Sequence, residues 1–450
     1  MFLLWIGVPW KLNVVEIYNN PKVTKGQAYV QLRAGTGGTP NMMNTLDKAM
    51  HRQKRRIIAP VVSDRSMRIF EPQMSEHVNT FLRLLYQSSL SKDVVNMSPR
   101  CERLSVDIVG ELAFGYQLNT QTDSTHRAVV EGIKSRGARG TLYYFWPRLR
   151  LIDWLLNWMM GSANLERFYK SLKIMINARM ALPKDAKHDF FGLASGEISP
   201  GEPGFITKDL WAEAVFFIAA GGATTATALS GVFFYLSRNP VAYKRLADEI
   251  RTTFADGQEI LQGPQLNSCK YLRAVIDETM RLSPSSLTGA WREQDPVSIA
   301  SGESWVVDGH IIPPGTQVGF NNYTLNHDAK YFPNPFKFQP ERWLPPESKA
   351  DQAAYAAMRH AFAPFSIGER NCAGKPMAYL ELSLVVARTI WYLDFTVAPG
   401  AVGRLGEGKP GSADGRDKPE EFQLYAGVVV GHEGPNLVFT PRGEFIRELL

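Results

Sequence analysis

The run from Leu210 to Leu236 constrains the fold most, because it is long, apolar and carries only one charged residue, Glu213. Length alone would allow a membrane span, since a spanning helix needs roughly 20 apolar residues. However, Gly221-Gly222 and the threonines after it place flexible backbone and hydroxyl groups halfway along, and the flanks show no basic asymmetry. We therefore predict a buried core helix with Thr207 as its N-cap, ended by Asn239-Pro240.

The rest of the chain can surround such a helix, because 44% of its 450 residues are hydrophobic and 21% are charged. This composition excludes disorder. Helical periodicity covers Met74 to Met180 and Thr207 to Leu282, and short apolar runs between Gly and Pro predict hairpin strands at Trp305 to Gly319. We predict one domain over residues 1–450, mainly α with a smaller β lobe, and a surface loop at 403–421.

Charge and cysteine content exclude several functions. The net charge of +6 is spread along the chain without the basic blocks of a nucleic-acid binder. Three cysteines, Cys101, Cys269 and Cys372, are too few for a disulfide framework and indicate a reducing compartment. The apolar residues 1–10 are too few for a membrane span and lack signal-peptide features, which leaves an interfacial membrane contact open.

A cysteine in a glycine-containing loop carries the strongest chemical signal. The segment Phe365-Ser-Ile-Gly-Glu-Arg-Asn-Cys-Ala-Gly374 precedes a helix predicted from Lys375 to Leu393. A cysteine at a helix N-terminus faces unpaired N–H groups and the positive end of the helix dipole, and both favour the thiolate. Gly368 and Gly374 permit tight turns and close backbone approach.

This segment resembles the haem-binding signature of the cytochrome P-450 family, Phe-x-x-Gly-x-Arg-x-Cys-x-Gly, at all five defined positions. The resemblance implies the cytochrome P-450 fold, in which the long helix crosses over haem b. It makes Cys372 the axial ligand of the haem iron. It also implies that Arg370 pairs with a haem propionate, that Phe365 packs near the sulfur, and that Gly368 and Gly374 belong to the same cofactor-binding set.

Other basic residues match further family elements. His51 and Arg55 resemble the family's Trp-x-x-x-Arg element, with His in place of Trp, and Arg292 stands where the family has another propionate partner. The alternative for His51 and Arg55 is a solvated basic helix face, since three more basic residues neighbour them. Glu278 and Arg281 lie on one helical face, and the resemblance joins them to Arg342 in a structural lock that belongs to the fold.

The middle of the long helix departs from the family pattern. Ala220-Gly221-Gly222-Ala223-Thr224-Thr225 resembles the oxygen-binding segment, so Gly221, Gly222, Thr224 and Thr225 form the implied catalytic set. A glycine pair followed by threonine lets a helix open, with a hydroxyl bonding the freed carbonyl. Ala223 replaces the family's acid, so protons must arrive through water or another group. Close packing of small residues is the alternative interpretation of the glycines.

The resemblance implies a haem-thiolate monooxygenase that uses O2 and electrons from an NADPH-dependent flavoprotein reductase. The enzyme would hydroxylate or epoxidise a small lipophilic substrate. The resemblance to fungal members implies that this reaction belongs to secondary metabolism, in the biosynthesis of a terpenoid or a polyketide. Two alternatives stay open: atypical haem-thiolate chemistry, such as coupling, rearrangement or peroxide-driven reaction, and a non-catalytic haem- or lipid-binding copy. By family correspondence the substrate pocket is lined by Phe216, Ala220, Ser286, Leu287 and Thr288.

The resemblance extends from about Asn41 to Arg442 and fails before that. Microsomal members begin with a membrane helix, a proline-rich hinge and a first pair of strands, and we expect at most the last few residues of that region in this sequence. The family implies a location at the endoplasmic reticulum membrane surface, although we predict no transmembrane anchor in this chain.

Overall fold

The computed structural model describes residues 13–33, 36–161, 163–183, 186–194, 206–287 and 289–449. Helices dominate, and the predicted mainly α architecture with a smaller β part is confirmed. The helices are α1 Asn13–Tyr18, α2 Lys48–Ile58, α3 Asp64–Leu90, α4 Met97–Phe114, α5 Ala128–Phe145, α6 Asp153–Met160, α7 Ala163–Met180, α8 Phe190–Ala194, α9 Thr207–Arg238, α10 Pro240–Thr253, α11 Pro264–Ser268, α12 Lys270–Leu282, α13 Pro296–Ala300, α14 Asn322–Asn326, α15 Gln352–Ala361 and α16 Lys375–Tyr392.

The strands pair antiparallel in four small sheets. β1 pairs with β3, β9 lies between β2 and β6, β4 pairs with β5 in the predicted hairpin region, and β7 pairs with β8. The 403–421 segment runs between β6 and β7. The strands are β1 Val23–Lys25, β2 Val95–Asn96, β3 Arg292–Gln294, β4 Trp305–Val307, β5 His310–Ile312, β6 Leu393–Val397, β7 Leu424–Tyr425, β8 Gly431–His432 and β9 Asn436–Pro441.

The long apolar run forms α9, which contacts α4, α12 and α16 in the core. Within the described residues it is the one helix apolar and long enough to cross a membrane, and 61% of its most apolar window is buried inside the protein. Its start differs from the prediction by one residue. Ile206 holds the extended cap conformation, so Thr207 is the first helical residue rather than the N-cap, while Asn239 ends the helix as expected.

The glycine pair of α9 does not open the helix, which is continuous from Thr207 to Arg238. Instead, it allows close packing. A Cβ on Gly221 would lie 2.8 Å from Val109 Cγ2, and a Cβ on Gly222 would lie 2.7 Å from Val106 Cγ2. Both distances are too short for real contacts, so the glycines let α4 approach α9. The packing alternative considered from the sequence accounts for both residues.

Glu278 on α12 lies at the centre of a buried hydrogen-bond network. It accepts from Arg281 Nε and Nη2, both at 2.9 Å, and from Arg342 Nε at 3.1 Å. Trp343 Nε1 and the backbone N of Gln339 each donate to it at 2.9 Å. Burial alone would raise the pKa of Glu278, but the charges of the two arginines outweigh burial and lower it. The structure therefore brings the three predicted lock residues together.

Candidate active site

Cys372 lies in the loop before α16 and borders a cavity of about 670 Å³. The loop is closed by a hydrogen bond from the backbone N of Cys372 to the carbonyl oxygen of Phe365, at 2.8 Å. Gly368 has a φ of 75°, and a Cβ there would collide with the carbonyl oxygen of Tyr18, so this position requires glycine. The Phe365 ring packs against Tyr379, with ring centroids 5.0 Å apart.

The backbone at Gly374 does not adopt the tight turn for which the sequence analysis expected a glycine. Its φ is −79°, which any residue can adopt, and an added Cβ would stand 3.9 Å from Cys372 Sγ. No backbone strain or collision within the described residues requires glycine here. Because Gly374 has no side chain, the space beside the Cys372 sulfur stays open.

The Cys372 thiol is accessible from the cavity while protein atoms surround the rest of it. Burial raises the pKa of this thiol, whereas the backbone N–H groups of Gly374 and Lys375 and the charge of Arg55 lower it. The helix N-terminus thus lowers the pKa as expected, but the effect of burial is larger. A metal ion bound to the sulfur would reverse this balance, because a coordinating thiol is deprotonated.

Five basic side chains gather at the propionate end of the predicted site. Four of them, His51, Arg55, Arg292 and Arg370, were candidates from the sequence, and Lys25 was not. The pairing of β1 with β3 sets Lys25 directly opposite Arg292. Like charges opposite each other destabilise a strand pair, so this register points to an anionic ligand. We call these five residues the cationic cluster.

The cationic cluster is largely buried. Lys25, His51 and Arg292 are 8%, 3% and 2% exposed, so the solvated-face alternative does not hold for His51. Burial and the charges of Arg292 and Arg370 lower the pKa of Lys25. Burial and the four neighbouring cations lower the pKa of His51 to about 3, which leaves it a neutral hydrogen-bonding group at neutral pH.

The arginines of the cationic cluster donate to neutral acceptors. Arg370 donates to the carbonyl oxygen of Thr45 at 2.9 Å. Arg55 donates to the backbone oxygen of Asn371 at 2.6 Å and to its side-chain oxygen at 2.8 Å. Within the described residues, no carboxylate lies within ion-pair distance of the cluster. A ligand carrying two carboxylates and a metal for Cys372 fits this donor set, which is the chemistry of haem.

Thr224 lines the cavity and donates from Oγ1 to the carbonyl oxygen of Ala220 at 2.7 Å. Its own carbonyl accepts from Ser285 Oγ at 2.8 Å. Thr225, beside it, is buried. Ala223 also lines the cavity and brings no acid to it. The expected threonine hydroxyl to carbonyl bond is therefore present, but it forms within an unbroken helix.

The two acids nearest along α9 are engaged elsewhere. Lys54 Nζ lies 3.1 Å from Asp209 Oδ1 and 3.1 Å from Glu213 Oε1. The backbone N of Met42 also donates to Glu213 Oε1, at 2.9 Å. Despite the lysine, burial raises the pKa of Glu213 to about 7. Lys54, which the sequence placed on a basic helix, is therefore a buried bridge from α2 to α9.

Only some of the predicted substrate-pocket residues line the cavity. Phe216, Ala220 and Ser286 line the cavity, whereas Leu287 does not. The Leu287 carbonyl accepts from Asn321 Nδ2 at 3.4 Å, which ties this segment to the start of α14. Thr288 lies outside the described residues. Sequence reasoning also missed the residues that α5 contributes to the cavity wall, because only tertiary packing shows which face of α5 meets α9.

The chain belongs to the cytochrome P-450 family, since a sequence model of the family described as Cytochrome P450 matches residues 23–411. It is therefore an enzyme of the cytochrome P-450 monooxygenase class, with a haem cofactor. The match begins at Val23 rather than near Asn41, so the expectation that the resemblance fails before Asn41 was wrong. The match includes β1, and it ends before Arg442.

Three relatives with curated descriptions come from fungi. A cytochrome P-450 monooxygenase of Gibberella zeae is 31% identical over 440 residues, covering 96% of this chain and 98% of the relative. Cytochrome P-450 monooxygenase atnE of Emericella nidulans is 33% identical over 448 residues, covering 95% and 81%. Cytochrome P-450 monooxygenase poxM of Penicillium oxalicum is 33% identical over 399 residues, covering 86% and 74%.

Proposed function

We propose that the protein is a haem-thiolate monooxygenase that hydroxylates or epoxidises a small lipophilic substrate in fungal secondary metabolism. One observation carries the proposal: the Cys372 sulfur borders the same cavity as four residues of the cationic cluster, Lys25, His51, Arg55 and Arg370. In this proposal Cys372 ligates the haem iron, and Arg55, Arg292 and Arg370, with Lys25, hold the propionates. Fungal relatives with monooxygenase names support the reaction class.

Haem bound here would supply the activation of O2, and the protein supplies its binding and orientation. The loop from Phe365 to Gly374 fixes the sulfur by the hydrogen bond from the Cys372 amide. His51, neutral at its lowered pKa, would donate a hydrogen bond to a propionate without adding charge to an already cationic site. Two propionates bound here would offset part of the repulsion among the four cations of the cluster.

Thr224 holds a proton at its Oγ1 within reach of the cavity, bonded to the Ala220 carbonyl. Because Ala223 cannot relay protons, water in the cavity brings them to Thr224. Asp209 and Glu213 do not serve this role in the proposal, since Lys54 already binds both. Electrons come from an NADPH-dependent flavoprotein reductase, and the apolar wall that includes Phe216 excludes bulk water from the substrate.

We also propose a membrane-surface location at the endoplasmic reticulum. Segment 146–159 exposes several large apolar side chains, and Trp154 and Trp158 are 71% and 80% exposed. Arg150 lies in the same segment and is exposed. Tryptophan and arginine side chains together favour the membrane interface. Residues 1–10, for which the sequence left an interfacial contact open, lie outside the described residues.

Reconstitution with a reductase tests the reaction. The purified enzyme, reductase, NADPH and ¹⁸O2 are incubated with extract from a fungal strain that lacks this gene. We expect one product to gain one labelled oxygen atom, and the Cys372→Ala variant to give none. Product formation with hydrogen peroxide alone, and none with NADPH and reductase, would favour the atypical haem-thiolate alternative. Haem binding without product in either arm would favour the non-catalytic copy.

A further inference from the structure

Residues 41–47 form a largely buried loop that borders both the substrate cavity and the cationic cluster. We call it the cavity loop. Its first three residues, Asn41, Met42 and Met43, line the cavity, and Asn41, Met42 and Asn44 are buried. Buried backbone N–H and C=O groups need partners inside the protein. The position of the cavity loop therefore depends on the groups that bond to it.

Two cations of the cluster donate to the cavity loop. Lys25 Nζ donates to the carbonyl oxygen of Met43. Arg370 donates to the carbonyl oxygens of Thr45 at 2.9 Å and of Leu46 at 3.3 Å. A shift of the cavity loop would therefore displace both cations, which are donors that the proposed function assigns to the haem propionates.

Glu213 on α9 anchors the start of the cavity loop. The backbone N of Met42 donates to its Oε1 at 2.9 Å and to its Oε2 at 3.1 Å. A second bond lies beside the first, from Asn41 Nδ2 to the carbonyl oxygen of Ala212 at 3.4 Å. Glu213 is fully buried. A side chain without an acceptor at this position would therefore leave the Met42 N–H unpaired inside the protein, which destabilises this placement of the loop.

Lys54 gives Glu213 a second contact, and this contact defines the competing account. Lys54 Nζ on α2 lies 3.1 Å from Glu213 Oε1 and 3.1 Å from Asp209 Oδ1. The ion pair alone would make Glu213 a brace between α9 and α2. The bond to Met42 needs only an acceptor oxygen, whereas the brace needs the charge. An uncharged side chain that keeps an oxygen therefore separates the two roles.

We propose that Glu213 is a positioning residue for the cofactor, because its side-chain oxygen holds the cavity loop where Lys25 and Arg370 can meet the haem propionates. The inference rests on the proposed function, since it is haem that brings the propionates. It deepens that function by giving an acid of α9 a role in seating the cofactor, separate from proton delivery.

Haem retention tests the proposal, measured as the rate of haem transfer from the purified holoenzyme to excess apomyoglobin. Glu213→Met fills a similar space without an acceptor. We expect at least about fivefold faster transfer, the size expected when a buried donor loses its partner. Glu213→Gln keeps an oxygen for the Met42 N–H and should transfer haem at close to the wild-type rate. Asp209→Asn is the control, since Asp209 pairs with Lys54 and, in the described part of the chain, has no bond to the cavity loop.

Two further measurements respond to the cavity loop rather than to the brace. The reduction potential of the haem iron should become more negative in Glu213→Met, because misplaced cations leave more propionate charge unneutralised near the iron. It should stay at the wild-type value in Glu213→Gln and in Asp209→Asn. Hydrogen–deuterium exchange of the peptide that contains residues 41–47 should likewise become faster in Glu213→Met alone.

Equal losses of haem in Glu213→Gln and Glu213→Met would overturn the proposal in favour of the brace. Wild-type retention in a folded Glu213→Met protein would overturn it outright. If Glu213→Met does not fold, Asn41→Ala decides, because it removes the neighbouring bond to Ala212. Faster haem transfer in that variant supports the anchoring of the loop, and an unchanged rate contradicts it.

The proposed function can fail separately. A wild type that lacks the thiolate-type band in the carbon monoxide difference spectrum would refute the haem-thiolate function. The exchange of the cavity loop needs no haem, so it still reports on Glu213 in such a preparation. Faster exchange in Glu213→Met would then leave the anchoring of the loop standing, and unchanged exchange would refute that as well.

Discussion

Replacing Glu278 with glutamine should destabilise the protein strongly, because this carboxylate is fully buried and neutralises two arginines. It accepts two hydrogen bonds from Arg281 at 2.9 Å, one from Arg342 at 3.1 Å and one from Trp343 at 2.9 Å. A glutamine side chain fills the same space, but it carries no charge and its NH2 group would face these donors. Breaking one partner of a buried ion pair costs about 3–5 kcal/mol.

Urea unfolding of the purified haem-bound protein, followed by tryptophan fluorescence, measures this cost. The control is Glu76→Gln, whose carboxylate lies 3.0 Å from Arg83 Nη1 and is 64% exposed. Exposed pairs contribute about 0–1 kcal/mol, so the control should unfold close to the wild-type midpoint. Equal midpoints for Glu278→Gln and Glu76→Gln would refute the argument that this network stabilises the fold.

The stabilities of the wild type and of Glu278→Gln should respond differently to pH. The pKa of Glu278 is lower in the folded protein than its ordinary value. Its contribution to stability is therefore complete above the unfolded-state pKa of about 4.3 and is lost as the pH falls through the lower folded value. The gap in unfolding free energy between wild type and Glu278→Gln should shrink on acidification over that range. A constant gap would show that the charge of Glu278 is not what the variant removes.

Three further perturbations have defined outcomes. Gly221→Val should cost about 1–3 kcal/mol in urea unfolding, because its Cβ would lie 2.8 Å from Val109 Cγ2. Lys25→Met should weaken haem retention, measured as the rate of haem transfer to excess apomyoglobin, because Lys25 borders the cavity and belongs to the cationic cluster. Trp154→Ser combined with Trp158→Ser should reduce sedimentation with phosphatidylserine-containing vesicles, because both side chains are exposed.

Each perturbation has a matched control. Gly263→Val should leave stability unchanged, since no atom lies within 4 Å of the position of its Cβ. Lys22→Met should retain haem like the wild type, because Lys22 pairs with Glu303 at the surface. Val241→Ser removes an apolar side chain that is 82% exposed on α10, and vesicle binding should persist. A control that behaves like its partner variant would contradict the corresponding explanation.

The sequence predicted those features whose signals are local. The apolar run with a single charge predicts α9 to within one residue at its start. The loop from Phe365 to Gly374 predicts a cysteine at the start of a helix, and α16 does begin at Lys375. Glycine is required at Gly368 by a backbone turn, which a motif can encode in neighbouring residues.

What the sequence did not predict depends on distant pairing. Lys25 belongs to the cationic cluster only because β1 pairs with β3 in the register that sets it opposite Arg292, and no local pattern near Lys25 indicates that register. The glycine pair of α9 serves packing against Val106 and Val109, which lie more than one hundred positions earlier in the chain. The cavity face of α5 was missed for the same reason.

The carbon monoxide difference spectrum of the reduced protein tests the central claim most directly, namely that Cys372 holds haem iron through its sulfur. We predict the thiolate-type Soret band for the wild type and for Cys269→Ala, whose thiol is buried away from the cavity. Cys372→Ala should lose that band even where it retains haem. A Cys372→Ala protein that keeps the band, or a wild type that binds haem without it, would contradict the account.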